Sequence, residues 1–165
     1  MLGGILGILG SDSDSSTVLE RIFNNEYFTR YDYIILDCPP AMDLLVTNAI
    51  QACNKMIIPI QAELLAFEGV TEMLTKLLAI KQTNDYESCL LGMIITMFDV
   101  RTSMSKEILE AAKESYGNLV FENVIPLRAE AKNTTASRTS SVSNKHSDVG
   151  KAYINIVDTI ISREE

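Results

Sequence analysis

The chain contains no tryptophan, and only 7% of its 165 residues are aromatic. Its interior must therefore be built mainly from aliphatic side chains. Cysteine occurs three times, as Cys38, Cys53 and Cys89, at spacings that fit neither a zinc site nor a CxxC pair. An odd number of widely spaced cysteines points to reduced thiols that pack as small hydrophobes. The single histidine, His146, has no cysteine beside it in sequence. That argues against a metal cluster and against a Ser-His-Asp or Cys-His catalytic set. No apolar run is long enough to span a bilayer. The apolar opening, Met1 to Gly10, lacks a basic flank and a cleavage pattern, so it reads as a strand and turn rather than a targeting signal. A cytoplasmic location is the expectation. Lysine is absent before Lys55.

The charge that is present is unevenly placed. The net charge is -8. Residues 1–100 hold 5 Lys/Arg against 13 Asp/Glu, whereas residues 101–151 hold 8 against 6. The whole chain is a weak attractor for polyanions, and only residues 101–151 leave room for a locally basic face. Arg128, Lys132, Arg138, Lys145 and Lys151 fall between residues 123 and 151, opposed there only by Glu130 and Asp148. A solvated loop with ordinary charges explains the same cluster.

Four short apolar runs rich in Ile or Val read as buried strands: Tyr33–Asp37, Lys55–Ile60, Leu90–Phe98 and Leu119–Ile125. Their apolarity is continuous rather than alternating, as in a parallel sheet buried on both faces. Helical periodicity lies between them. Thr17 to Glu20 has the spacing of a capping box. Met42–Cys53, Leu64–Lys81, Ser105–Tyr116 and Asp148–Ser162 carry apolar stripes, and Gly117 marks a helix stop. Asn133–Ser147 is rich in Ser and Thr and reads as a long surface loop. The alternation predicts a single α/β domain over residues 1–165: three layers, a mostly parallel sheet with helices on both faces. Sites in such folds form at the carboxyl ends of the strands. That directs attention to Asp37, Gln61, Asp99 and Pro126.

Asp37 ends an apolar strand and is followed by Cys38-Pro39-Pro40, a stiff turn. A carboxylate at a strand tip is suited to hold Mg²⁺, usually through water, beside a nucleotide phosphate. Aspartates also end many strands for structural reasons, and both readings stand on these residues alone.

The neighbouring segments add specificity. Tyr31–Ile50 (YDYIILDCPPAMDLLVTNAI), Lys55–Val70 (KMIIPIQAELLAFEGV), Gly92–Ser105 (GMIITMFDVRTSMS) and Val124–Pro126 (VIP) together resemble the ParA/Soj proteins, the MinD-related partition ATPases with a deviant Walker-A loop. The resemblance covers residues 31–127. It implies a P-loop NTPase-like fold, with Asp37 as the Walker-B-like aspartate that positions Mg²⁺ and water. It places Asn48 at a position the family fills with Asn, and Gln61 and Glu63 near the nucleotide and dimer surfaces. Phe67-Glu68-Gly69 matches a family step into a helix. Thr96, Asp99 and Pro126 belong to segments that flank the adenine base, although capping or turn formation also accounts for Gln61, Thr96 and Asp99. The resemblance further implies non-specific DNA contacts by basic residues of the C-terminal half. The candidates are Arg101, Arg128, Lys132, Arg138 and Lys145. Arg101 could equally pair with Asp99, and the stretch after Val124–Pro126 departs from the family pattern.

The family's Lys-Gly-Gly-x-Gly-Lys-Thr/Ser loop does not occur in these 165 residues, nor does its second aspartate. Gly3 to Ser11 has glycines but no lysine. That loop supplies the backbone N–H cradle and the lysines that neutralise phosphate charge. Mg-ATP is the family's cofactor, and this chain is not expected to hold it or hydrolyse it alone. A truncated gene, a misassigned start, or a sheet closed up by Leu2–Leu9 or by a partner are the open explanations. The expected function is that of a truncated chromosome- or plasmid-partitioning ParA. Its partners would be a second copy or a full-length ParA, together with a ParB-like centromere-binding adaptor. The alternatives are a non-enzymatic module that modulates a full-length ParA, and a non-functional remnant.

Overall fold

A computed structural model describes residues 15–39, 43–129, 139–144 and 146–164. The expected strand within residues 1–10 lies outside them, as do Pro40, Met42, Glu130, Lys132, Arg138 and Lys145. Elements follow in the order α1 (Val18–Phe23), a 3-10 turn (Glu26–Phe28), α2 (Leu44–Ala52), β1 (Met56–Gln61), α3 (Leu64–Lys81), β2 (Leu90–Thr96), α4 (Ser103–Tyr116) and α5 (Asp148–Glu164). The architecture is α/β, a parallel sheet flanked by helices. The chain forms two compact units, Met1–Met56 with Thr75–Cys89, and Ile57–Leu74 with Leu90–Glu165.

In the first unit, α1 and α2 are joined by a buried side chain. Asn48 of α2 is 3% exposed. Its Nδ2 donates to the carbonyls of Ser15 at 2.6 Å and Leu44 at 3.0 Å, and its Oδ1 accepts from the Leu19 N–H at 3.2 Å. Thr17 makes no side-chain cap bond, so the capping box expected from Thr17 and Glu20 does not form. Asp43 caps α2, accepting from the N–H groups of Leu45 at 3.0 Å and Val46 at 3.1 Å. The C-terminal end of α2 is held from α3: the Lys81 ammonium donates to the Gln51 and Cys53 carbonyls, and the Gln51 amide donates to the Ile80 carbonyl at 2.8 Å. A cation on the last carbonyls of a helix also offsets its dipole.

The predicted strand Tyr33–Asp37 is not assigned as a strand among the described residues. Residues 33–39 carry no strand assignment, and Ile35 is 90% exposed.

The second unit holds the sheet. The Ala62 N–H donates to the Thr96 carbonyl at 2.9 Å, and β1 and β2 run the same way. Pro59 interrupts β1 without an N–H, which a strand tolerates where its bonding side is free. Beyond β2 the predicted strand Leu119–Ile125 is fragmented. It begins as a 3-10 turn, Gly117–Leu119, and then touches β2 through separate parallel bridges, Met93 with Val120 and Phe98 with Pro126. Met97, with φ of +53°, ends β2 at Thr96, two residues earlier than predicted.

On one face of β2, Ile94 packs with Phe121, Ile125 and, from α5, Val149 and Ile156, with Ile57 and Ile160 at the margin. Met93 and Ile95 point the other way by pleat alternation and are also sealed from water. This two-sided burial is what the continuous apolar runs predicted. Arg163 anchors the end of α5. Its guanidinium donates to the carbonyls of Leu91 at 2.8 Å and Asn118 at 2.9 Å, and lies 4.4 Å from the Phe121 ring centroid.

Candidate functional site

The carboxyl end of β2 gathers the predicted residues of the second unit. Thr96 closes the strand, and its hydroxyl donates to the Ile60 carbonyl at 3.3 Å. The left-handed Met97 then turns the chain, and Phe98 pairs with the segment beside it. Its N–H donates to the Ile125 carbonyl at 3.0 Å, and its carbonyl accepts from the Leu127 N–H at 2.9 Å. These bonds place Pro126 against Phe98 and bring Thr96, Asp99 and Pro126 to one edge.

Asp99 is fixed from several sides. Its N–H donates to Ser105 Oγ at 3.3 Å, and its carbonyl accepts from the Thr102 N–H at 3.1 Å. Thr102 in turn caps α4, accepting from the Ser105 N–H at 3.3 Å. The carboxylate of Asp99 is engaged by Arg101: Nε donates to Oδ1 at 2.9 Å, Nη2 to Oδ2 at 2.6 Å, and the Arg101 N–H to Oδ1 at 3.0 Å. These bonds, first that of the guanidinium, hold the Asp99 carboxyl at a pKa of about 2. The pairing with Asp99 is thus the one Arg101 adopts. Ser105 escaped the sequence reading; a Ser three residues after the cap Thr102 is the signal that marks it.

Arg128 is exposed, and its Nε donates to Asp148 Oδ2 at 3.3 Å, so one of the two acids that oppose the basic stretch in sequence is bonded to its first arginine. Met97, Val100, Met104 and Leu127 add exposed apolar surface around the same edge.

The first unit contains Asp37, exposed, among residues 33–39, which carry no strand assignment. Cys38 beside it has its thiol pKa raised, by partial burial first and then by the carboxylates of Asp37 and Asp43. Among the described residues no three His, Cys, Asp or Glu side chains stand close enough to hold a metal ion.

The AAA domain family profile matches residues 5–90. The sporulation initiation inhibitor protein Soj of Bacillus subtilis is 35% identical over 96 residues, 58% of this chain and 38% of its own length. The chain belongs to the ParA/Soj family of partition ATPases.

Among solved structures, cobyrinic acid a,c-diamide synthase of Mycobacterium smegmatis, with bound ADP and magnesium, superposes with a TM-score of 0.66 at 29% identity. The match covers 83% of this chain and 55% of that one. A plasmid partition protein of Borrelia burgdorferi bound to AMPPNP gives 0.76 at 22% identity, covering 96% and 61%, which is a likeness of fold. The chain spans about half or less of the length of its curated ParA and Soj relatives, from 34% to 54%.

The family's Mg-ATP can be tested against the side chains present. Asp37 is an exposed carboxylate that belongs to no metal-binding trio among the described residues, Asp99 is already bidentate with Arg101, and no lysine precedes Lys55 in these 165 residues. These residues do not fit the phosphate and metal portion of Mg-ATP, so no chemical step is assigned through it. No described helix is long and apolar enough to cross a membrane.

Proposed function

We propose that this chain is a chromosome- or plasmid-partitioning protein of the ParA type that does not bind or hydrolyse Mg-ATP by itself. The observation that carries the reading is the mismatch between its two halves. The edge formed by Thr96, Asp99 and Pro126 is assembled, whereas the 165 residues contain no Lys-Gly-Gly-x-Gly-Lys-Thr/Ser loop. A phosphate cradle of backbone N–H groups contributes several kcal/mol to transition-state stabilisation in such sites, about 3–4 per donor where one has been removed. A single carboxylate at Asp37 does not replace it.

In this reading the chain works in company, as a dimer with itself or with a full-length ParA, and with a ParB-like adaptor. Its basic residues Arg101, Arg128, Lys132, Arg138 and Lys145 contact DNA without sequence preference, in a salt-sensitive manner. The exposed Ile34 and Ile35 favour the second reading, a non-enzymatic module that modulates a full-length ParA, because apolar surface of this kind marks protein contacts.

The test is to titrate the chain into a full-length ParA-type ATPase while following ATP turnover, with sedimentation velocity on the same mixtures. The expected result is a mixed species and a dose-dependent change in turnover. Two independent sedimenting species with unchanged turnover contradict the proposal.

A further inference from the structure

The two arginines at the carboxyl edge of β2 are each tied to a carboxylate. The Arg101 pair is the stronger and is asymmetric. Its guanidinium side chain is 82% exposed, whereas that of Asp99 is 16% exposed. The acid is locked by the turn, because Asp99 Oδ1 also accepts the Arg101 N–H and its backbone N–H is held by Ser105. The guanidinium sits on a long, exposed stem, whereas the carboxylate is held short and close to the turn. The side-on fork that Asp99 occupies, Nε with Nη2, is a fork that a phosphodiester uses. Arg128, with one longer bond to Asp148, is held more loosely.

A neutral pair releases few counterions from a polyanion, so Arg101 adds little to DNA affinity while Asp99 holds it. We propose that Asp99 is an internal competitor for the phosphodiester backbone, and that Arg101 becomes a DNA contact only when this pair opens. The inference rests on the DNA-binding reading given above. It makes the affinity of the edge adjustable by whatever moves the 99–102 turn. Asp99 acts through Arg101 and does not itself touch the nucleic acid.

Asp99→Asn is the natural probe. It keeps an Oδ1 acceptor for the Arg101 N–H while removing the charge, and far-UV circular dichroism verifies the fold. Binding of a labelled random-sequence duplex is followed by anisotropy over about 0.05–0.2 M salt. D99N is expected to bind about tenfold tighter at the lowest salt, with a salt slope steeper by about one, the increment for one added phosphate contact. The double variant, Asp99→Asn with Arg101→Ala, is expected to lose the gain. Asp158→Asn makes the same charge change ten residues along α5 from Asp148, about 15 Å away, and is expected to have little effect.

If the wild type binds and D99N binds no tighter, or the gain survives R101A, the competitor is overturned while the DNA reading stands. If no variant binds at the lowest salt, the DNA reading falls and takes this inference with it.

Discussion

The buried carboxamide of Asn48 closes the first turn of α1, its Oδ1 accepting from the Leu19 N–H at 3.2 Å. The residue that resembles a family signature in sequence is, in the fold, a cap supplied from another helix. With Thr17 making no side-chain cap bond, Asn48 takes over a donor that the helix itself leaves open.

Asn48→Ala therefore leaves the Leu19 N–H and the Ser15 carbonyl without this partner in a partly buried setting. The expected loss is about 1–2 kcal/mol, from the cost of stranded, partly buried polar groups. Asn48→Asp is expected to cost more, because an oxygen replaces the Nδ2 that faces two carbonyls. Urea unfolding midpoints measure both. An Ala variant indistinguishable from wild type contradicts the capping role.

In the second unit, Gly92 is required by close packing. A methyl group there would meet the Phe121 ring, the Leu119 carbonyl at 2.8 Å and the Arg163 guanidinium at 2.9 Å. Gly92→Ala is expected to lower stability by about 1–3 kcal/mol through overpacking. Arg163→Ala is expected to loosen the end of α5, read as faster amide exchange over its last turns.

The helices were legible in the sequence because their apolar stripes are long. Leu64–Lys81 matches α3 at both ends, and Gly117 caps α4 where predicted. The strands were less so. Tyr33–Asp37 and Leu119–Ile125 have strand composition, yet a strand is defined by neighbours that a local reading does not contain. Asp99 and Pro126 were legible as strand-end positions because strand ends are marked by turns, whereas Thr96 was named only through the family resemblance. The capture of Arg101 by Asp99 was legible only as one of two alternatives. The bonds of Asn48 to Ser15 and Leu19 join positions about thirty residues apart, beyond the reach of any periodicity.

The Asp99 carboxyl titrates at about 2, below the ordinary value of about 3.9 for an unfolded Asp. A depressed folded-state value means that the stabilisation is complete above about pH 4 and is lost as pH falls through about 2. The side-chain carboxyl carbon of Asp99, followed by NMR, should show its midpoint near 2. Arg101→Ala should move that midpoint upward. A midpoint in the ordinary range in the wild type contradicts the bidentate pair.

Cys38 is exposed but its thiol is pushed up by partial burial and by Asp37 and Asp43, so its thiolate is scarce at neutral pH. Alkylation of Cys38 should be slower than that of a free cysteine and should accelerate in Asp43→Asn. Cys89 is buried and should react only after denaturation. Rapid labelling of Cys89 in the native protein contradicts the packing of the first unit.

Isothermal titration of the 165-residue chain with Mg-ATP tests the central claim most directly, since a half-assembled edge without a phosphate cradle should not hold the nucleotide. The account predicts no saturable heat. A single-site isotherm in the micromolar range contradicts it.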